Sequence, residues 1–399
     1  MMKQGINSIP QAVYASFDTF PAPKGASIHI GEFAPQLFSF IGSGLLLVLG
    51  DEKTPRWQIE DNNVQIRRYI TSEENFLQKA MDFSHFVFNE VFAIRNEVKI
   101  AHFRDPWSGI PIIEALEGTS TKLVYEVNAL PSVEIPSRVS SALSTTLEKI
   151  RKMEIECLEK ADAIVCPSYV IKTFLESLGI DSNKISVIHN GARLVGAEHK
   201  KPDDAPEKYI IYVGAVQLWQ GVEVLLKAMT FLKDIPDLKL VICASGTKQR
   251  IKFLQKLAEK MEVAERIVWN LRISQDEVQD WLQGASISLA PLTECERNLV
   301  QGCCPIKIIE SMAAGVPVIA SNMAVTQELL EHNVTGWLVR PDRPSELARA
   351  IRLLMAHPDR LKKISFNAKE KVASELTWEK SLEKLREVYL SIYEQGKRI

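Results

Sequence analysis

The residue types best spaced to do chemistry fall in one short run, positions 305–320, PIKIIESMAAGVPVIA. Pro305 suits the first position of a helix, where its missing N–H costs nothing. Ile306, Ile309 and Ala313 then share a face fit to pack on a sheet, and Lys307 and Glu310, three apart, share another. Gly315 reads as the stop, and VPVIA as the next buried strand. Gly302, Cys303 and Cys304 make a small-residue approach to the helix entrance, where free backbone N–H groups attract phosphate. A diphosphate there would have Lys307 beside it, and Glu310 a turn deeper could accept hydrogen bonds from two ribose hydroxyls. On spacing alone, the simpler reading is an ordinary amphipathic helix whose Lys–Glu pair is worth a few tenths of a kcal/mol.

A helix of this kind needs a sheet beneath it, and the rest of the chain supplies the pattern. Short apolar runs alternate with longer amphipathic ones from end to end, as in βα units around parallel sheets. Strands are expected at 13–16, 45–49, 98–103, 123–127, 163–166 and 185–188, and again at 209–213, 239–243, 266–269, 286–290 and 316–320. Most are near-continuous apolar runs, as for strands covered on both faces. Helices are expected at 140–160, 225–231, 249–261, 275–282 and 305–314. The expected exposed face of 140–160 carries Glu148, Lys149, Arg151, Lys152 and Glu156. At Asn190-Gly191 the pattern breaks into a polar segment with two prolines, which reads as a linker. The expectation is an α/β chain of two Rossmann-like, doubly wound domains: residues 1–190, residues 191–375, and a last helix over 376–399 that could cross back to the first. Ligands of such sheets bind beyond the carboxyl ends of the strands.

Composition excludes several classes. The chain has 399 residues and a formal net charge of −2, so no global field recruits nucleic acid. Its six cysteines show no zinc-ligand spacing, and no metal site is expected; reduced thiols of a cytoplasmic protein are the simplest reading. The most hydrophobic run, 38–49, is interrupted by glycines and is too short to span a bilayer.

The run 305–320, followed by Glu328 and then Gly336-Trp337-Leu338-Val339, resembles the donor-binding half of glycosyltransferase family 4, whose members have the GT-B fold and retain anomeric configuration. Residues 156–191 resemble that family's last N-terminal βα units and hinge, Tyr212-Val213-Gly214 the opening of its second domain, and Thr377-Trp378 the start of its final helix. Pro23-Lys24-Gly25-Ala26-Ser27 resembles its first glycine loop. The resemblance implies a metal-independent hexosyltransferase without a cofactor, using a UDP- or GDP-sugar and a carbohydrate or glycolipid acceptor. It implies ribose binding by Glu310, close approach of the Gly25-Ala26 backbone to phosphates or sugar, and a donor cradle that includes Gly214, Gly302, Cys303, Cys304 and Lys307. Peripheral contact with the inner face of a membrane stays open.

Three departures from the family stand out. An Arg and a Lys that flank the loop after the Tyr212-Val213-Gly214 strand are here Ala215 and Gln220. The first Glu of a Glu-x7-Glu motif falls on Gly302. A strand-end His is here Asn128, which can bond a sugar hydroxyl, or simply local backbone, but cannot titrate. Arg297 and Lys307 could restore the lost positive charge that a leaving diphosphate needs; equally, Arg297 could be a solvated loop charge. Asp105 could orient an acceptor and Trp107 stack on it, or Arg104–Asp105 could be a local ion pair and Trp107 a core residue. Asp18 and His29 are read with the same two alternatives. Two other functions remain: a catalytically silent homologue that only binds, and a GT-B sugar-nucleotide epimerase. A dinucleotide oxidoreductase lacks its GxGxxG.

Overall fold

A computed structural model describes residues 9–22, 24–60, 63–138, 144–194, 196, 199–271 and 273–395. The chain divides into two units, one of residues 1–188 with 382–399 and the other of residues 189–381. In the first unit the order is β1 (Ala12–Thr19), α1 (Gly25–Ile41), β2 (Gly44–Leu49), β3 (Trp57–Glu60), β4 (Val64–Tyr69), α2 (Phe76–Phe92), β5 (Ile100–Phe103), α3 (Pro106–Ala115), β6 (Lys122–Glu126), α4 (Pro131–Arg138), α5 (Ser144–Lys160), β7 (Ala163–Cys166), α6 (Tyr169–Ser177) and β8 (Ile185–Val187). The second unit continues with β9 (Tyr209–Ala215), α7 (Val222–Thr230), β10 (Lys239–Ser245), α8 (Lys248–Lys260), β11 (Ile267–Leu271), α9 (Gln275–Gln283), β12 (Ile287–Ala290), α10 (Ile306–Ala313), β13 (Val318–Ser321), α11 (Ala324–Gln327), β14 (Trp337–Val339), α12 (Pro344–Met355) and α13 (Pro358–Glu375). The last helix, α14 (Trp378–Gln395), counts with the first unit from Leu382 onward.

The first sheet runs β3-β4-β2-β1-β5-β6-β7-β8, parallel except for the β3–β4 hairpin. The second runs β11-β10-β9-β12-β13-β14, with every pair parallel. Strand order reverses between β1 and β5 in the first sheet and between β9 and β12 in the second. Those reversals open a crevice at the carboxyl strand ends, the ligand position of doubly wound sheets. The fully buried patterns of β2, β5 and β7 follow from helices on both faces.

Across the 38–49 run α1 ends at Ile41, Gly42 turns through the left-handed region with φ 98°, and β2 follows. Three strands, β3, β4 and β14, escape the sequence pattern, β4 because Arg67 and Arg68 interrupt it. Arg68 is nonetheless buried, its guanidinium donating to the carbonyls of Phe20 and Pro55 and to Gln58. The charged face expected along 140–160 is exposed on α5 from Glu148 to Glu156, while residues 140–143 lie outside the described residues. Among the described residues no helix is long and apolar enough to cross a membrane.

Candidate functional site

In the second unit the site is built on α10. Pro305 proves to be the N-cap (φ −70°, ψ 96°) rather than the first helical residue, and no side chain caps the helix amides. The face packed on the sheet is Ile308, Ile309, Met312 and Ala313; Ile306, in the first turn, is only half-buried. A single π-helical turn, Arg297–Gln301, leads in, and Gly302 follows with φ 92°, which a side chain rarely permits.

Lys307 turns inward from the first turn of α10. Its Nζ donates to the Tyr212 hydroxyl at 3.0 Å and to Gln220 Oε1 at 2.5 Å, and lies 4.2 Å from the centre of the Tyr212 ring. The Tyr212 hydroxyl spends its own proton on the Ala215 carbonyl, 2.5 Å away, so toward Lys307 it can only accept. Gly214, with φ 129°, leaves the space: a Cβ there would lie 3.0 Å from Nζ. Burial lowers the Lys307 ammonium to about 7; Arg297 adds to the fall, while Cys303 and Glu310 oppose it.

Glu310 lies on the same helix and is buried, where Lys307 is half-buried. Burial raises its carboxyl to about 7, against the opposing pull of Gln275 and Lys307. Gln275 Nε2, at the start of α9, donates to Glu310 Oε1 at 2.5 Å. Arg297 is half-buried, its guanidinium 5.1 Å over the Trp219 ring and its Nη1 on Asn298 Oδ1. Asn298 in turn donates to the carbonyls of Trp219 and Thr293, tying the π-turn to the loop after β9. Cys303 is buried, and burial pushes the Cys304 thiol well up, so neither is a ready nucleophile. Asn190 donates to the Cys304 carbonyl at 2.9 Å, and His189 meets Glu328 at 3.0 Å. A phosphate-sized anion would therefore meet helix amides, one half-buried lysine and one stacked arginine, with a carboxylate a turn deeper.

In the first unit, polar groups converge on Glu126 at the end of β6. Arg104 Nε donates at 2.7 Å and the Tyr14 hydroxyl at 2.8 Å; His29 Nδ1 and His102 Nε2 each lie at 3.2 Å, and Asn128 also donates. Burial alone would raise the Glu126 carboxyl, but Arg104 and the histidines hold it well below its usual range. Burial conversely lowers His29 to about 4 and lowers His102, so both rings are neutral at pH 7. Arg104 Nη1 reaches on to the Ala26 carbonyl at 3.2 Å and to Asp18 at 3.4 Å, fastening the start of α1, with Gly25 and Ala26, to the ends of β1 and β5. Tyr389 of α14 joins the cluster through His102 Nδ1 at 2.7 Å.

The structure thus brings Gly214, Arg297, Gly302, Cys303, Cys304, Lys307 and Glu310 together in one unit, and Asp18, Gly25, Ala26, His29 and Asn128 in the other. Asp105 and Trp107 are placed differently from the acceptor reading. Asp105 caps α3, accepting from Ser108, and accepts from the Phe17 amide at 2.7 Å. Trp107 is 6% exposed, packed edge-on against Phe17 and Phe76. Of the alternatives for this loop, a local Arg104–Asp105 pair does not form; Arg104 pairs with Glu126. Sequence reading missed Glu126, Tyr212, Trp219 and Gln275 as site residues. The available signal for Glu126 was an acidic residue closing an apolar run.

Comparison with known proteins bears on the family and the fold. A model described as "Glycosyl transferases group 1" matches residues 197–371, and one described as "Glycosyltransferase Family 4" matches residues 50–194. An uncharacterized glycosyltransferase of Methanocaldococcus jannaschii is 22% identical over 388 residues, covering 92% of this chain and 95% of that one. A D-inositol 3-phosphate glycosyltransferase of Thermobispora bispora is 24% identical over 61% of this chain and 59% of its own length. Among solved structures, sucrose-phosphate synthase from Thermosynechococcus elongatus superposes with a TM-score of 0.78 at 18% identity, covering 96% of this chain and 100% of that one. Anabaena HepE in complex with UDP-glucose superposes with a TM-score of 0.74 at 16% identity, covering 95% and 99%. These likenesses show the GT-B fold.

Proposed function

This chain belongs to the glycosyl transferases group 1 family, and we propose that it moves a hexose from a UDP- or GDP-linked donor to a hydroxyl of a carbohydrate or glycolipid acceptor in the cytoplasm, without a metal ion and with retention of configuration. The observation that carries the reading is the convergence of Lys307, Glu310 and the uncapped amides of α10 beside Arg297. In this reading the amides and Lys307 take the diphosphate, and Glu310 accepts from the ribose hydroxyls in place of Gln275. Lys307 and Arg297 stabilise the charge that develops as the bond from the sugar C1 to the phosphate oxygen breaks. The acceptor oxygen bonds C1 on the face the phosphate leaves, and its proton passes to that phosphate oxygen. No protein base is then needed, which suits an Asn at position 128. The nucleotide-bound relatives support the donor class; the polar rim of Asp18 and Asn128 supports a hydroxyl-rich acceptor.

Incubating the protein with a panel of nucleotide-sugars and sugar acceptors, and measuring released nucleoside diphosphate and glycosylated product, tests this. Turnover that falls at least about 100-fold in Lys307→Met is expected. Binding with no turnover on any acceptor would favour the silent homologue. An isomerised nucleotide-sugar would indicate the epimerase.

A further inference from the structure

The loop after β9 holds Lys307 in an unusual setting for the cation of a phosphate site. We propose that Gln220 is a positioning residue for the donor diphosphate: it keeps Lys307 in a cradle of uncharged groups, and the lysine takes up a proton as the diphosphate enters. This rests on the donor reading above and adds to it a role for Gln220 and a direction of proton flow.

The geometry carries the argument. The two oxygens that hold Nζ, on Tyr212 and Gln220, are both neutral, and burial keeps the Tyr212 phenol far above neutrality. From the π-turn, Arg297 faces the lysine with a like charge; from the approach loop comes Cys303, and from α10 itself Glu310. Among the described residues no carboxylate bonds Nζ directly. A charged ammonium in this cradle has lost water without gaining a bonded counter-ion, a state that favours the neutral amine. Of the three protons of a charged Nζ, Tyr212 and Gln220 accept two, which leaves one for an incoming oxygen. A diphosphate brings two negative charges to hydrogen-bond distance and reverses the balance. The fall of Lys307 to about 7 agrees with this.

The test is titration calorimetry of the full chain with UDP-glucose, ADP-glucose and GDP-mannose at about pH 8, in buffers of different ionisation enthalpy. These sugar-linked diphosphates carry no group that titrates there, so proton exchange reports the protein. Uptake approaching about one proton per bound donor is expected. It should persist in Glu310→Gln. It should be lost in Lys307→Arg, whose side chain is never neutral, and in Gln220→Glu, whose carboxylate charges the lysine beforehand. Gln220→Leu, with no acceptor to aim Nζ, should weaken donor binding about threefold to tenfold without lowering the melting temperature comparably. Binding without proton exchange, or uptake that survives Lys307→Arg, overturns this proposal and leaves the donor reading standing. Failure of every probe to bind removes the donor reading and this proposal with it.

Discussion

Glu310→Gln should stabilise the ligand-free protein while weakening its grip on nucleotide. Glu310 is 8% exposed, and burial raises its carboxyl from 4.5 to about 7. The unfolded chain ionises first, so the folded state loses stability as pH rises from 4.5 to 7 and stays lowered above that. At about 1.4 kcal/mol per pH unit the loss comes to about 3 kcal/mol. A glutamine keeps the shape and the bond from Gln275 without this loss, but buries an amide that costs roughly 1–2 kcal/mol. The net gain at pH 8 is about 1–2 kcal/mol, or roughly 2–6 °C in melting temperature. A ribose hydroxyl bonded to a neutral amide instead of a carboxylate loses about 1.5 kcal/mol, so nucleotide affinity falls about tenfold. Thermal unfolding at about pH 8 and calorimetry on the same preparation measure both. A variant that melts lower than the parent, or binds nucleotide as tightly, would refute the reasoning.

Three other outcomes follow from the packing. Arg104→Ala leaves Glu126 buried without its cation and should cost about 3–5 kcal/mol; pairing it with Glu126→Gln should recover part, as a double-mutant cycle would show. His29 is held near 4 against 6.5 unfolded, so the unfolded chain binds the extra proton between those values. Stability should therefore fall by about 3 kcal/mol as pH drops from 6.5 to 4, and His29→Asn should flatten that slope in denaturant titrations. In Gly221→Ala the new Cβ would sit 1.7 Å from the Pro291 carbonyl oxygen at φ 71°, so the second unit should lose at least about 2 kcal/mol, visible in hydrogen exchange of β9 and β12.

The fold was legible wherever strands are apolar throughout, as in the LLLV of β2 or the AIVC of β7, because burial on both faces writes itself into composition. It was illegible where charge is tolerated inside a strand: Arg67 and Arg68 hid β4. The three-residue β14 carries too little pattern to show a period. In the site, the neighbourhood of Lys307 and Glu310 was readable because both lie on one helix. Their partners were not. Tyr212 and Gln220 come from 95 and 87 residues away, and Gln275 from 35, so tertiary packing rather than local spacing brings them to α10. Trp107 stayed open between two readings for a related reason, since an aromatic at a strand end serves a core as readily as a ligand.

The most direct check on the account is a crystal structure with the nucleotide-sugar that most raises the melting temperature. It should show diphosphate oxygens within hydrogen-bond distance of Lys307 Nζ and of the amides opening α10, with a ribose hydroxyl on Glu310. A diphosphate seated elsewhere, with Lys307 still held by Tyr212 and Gln220 alone, would contradict it.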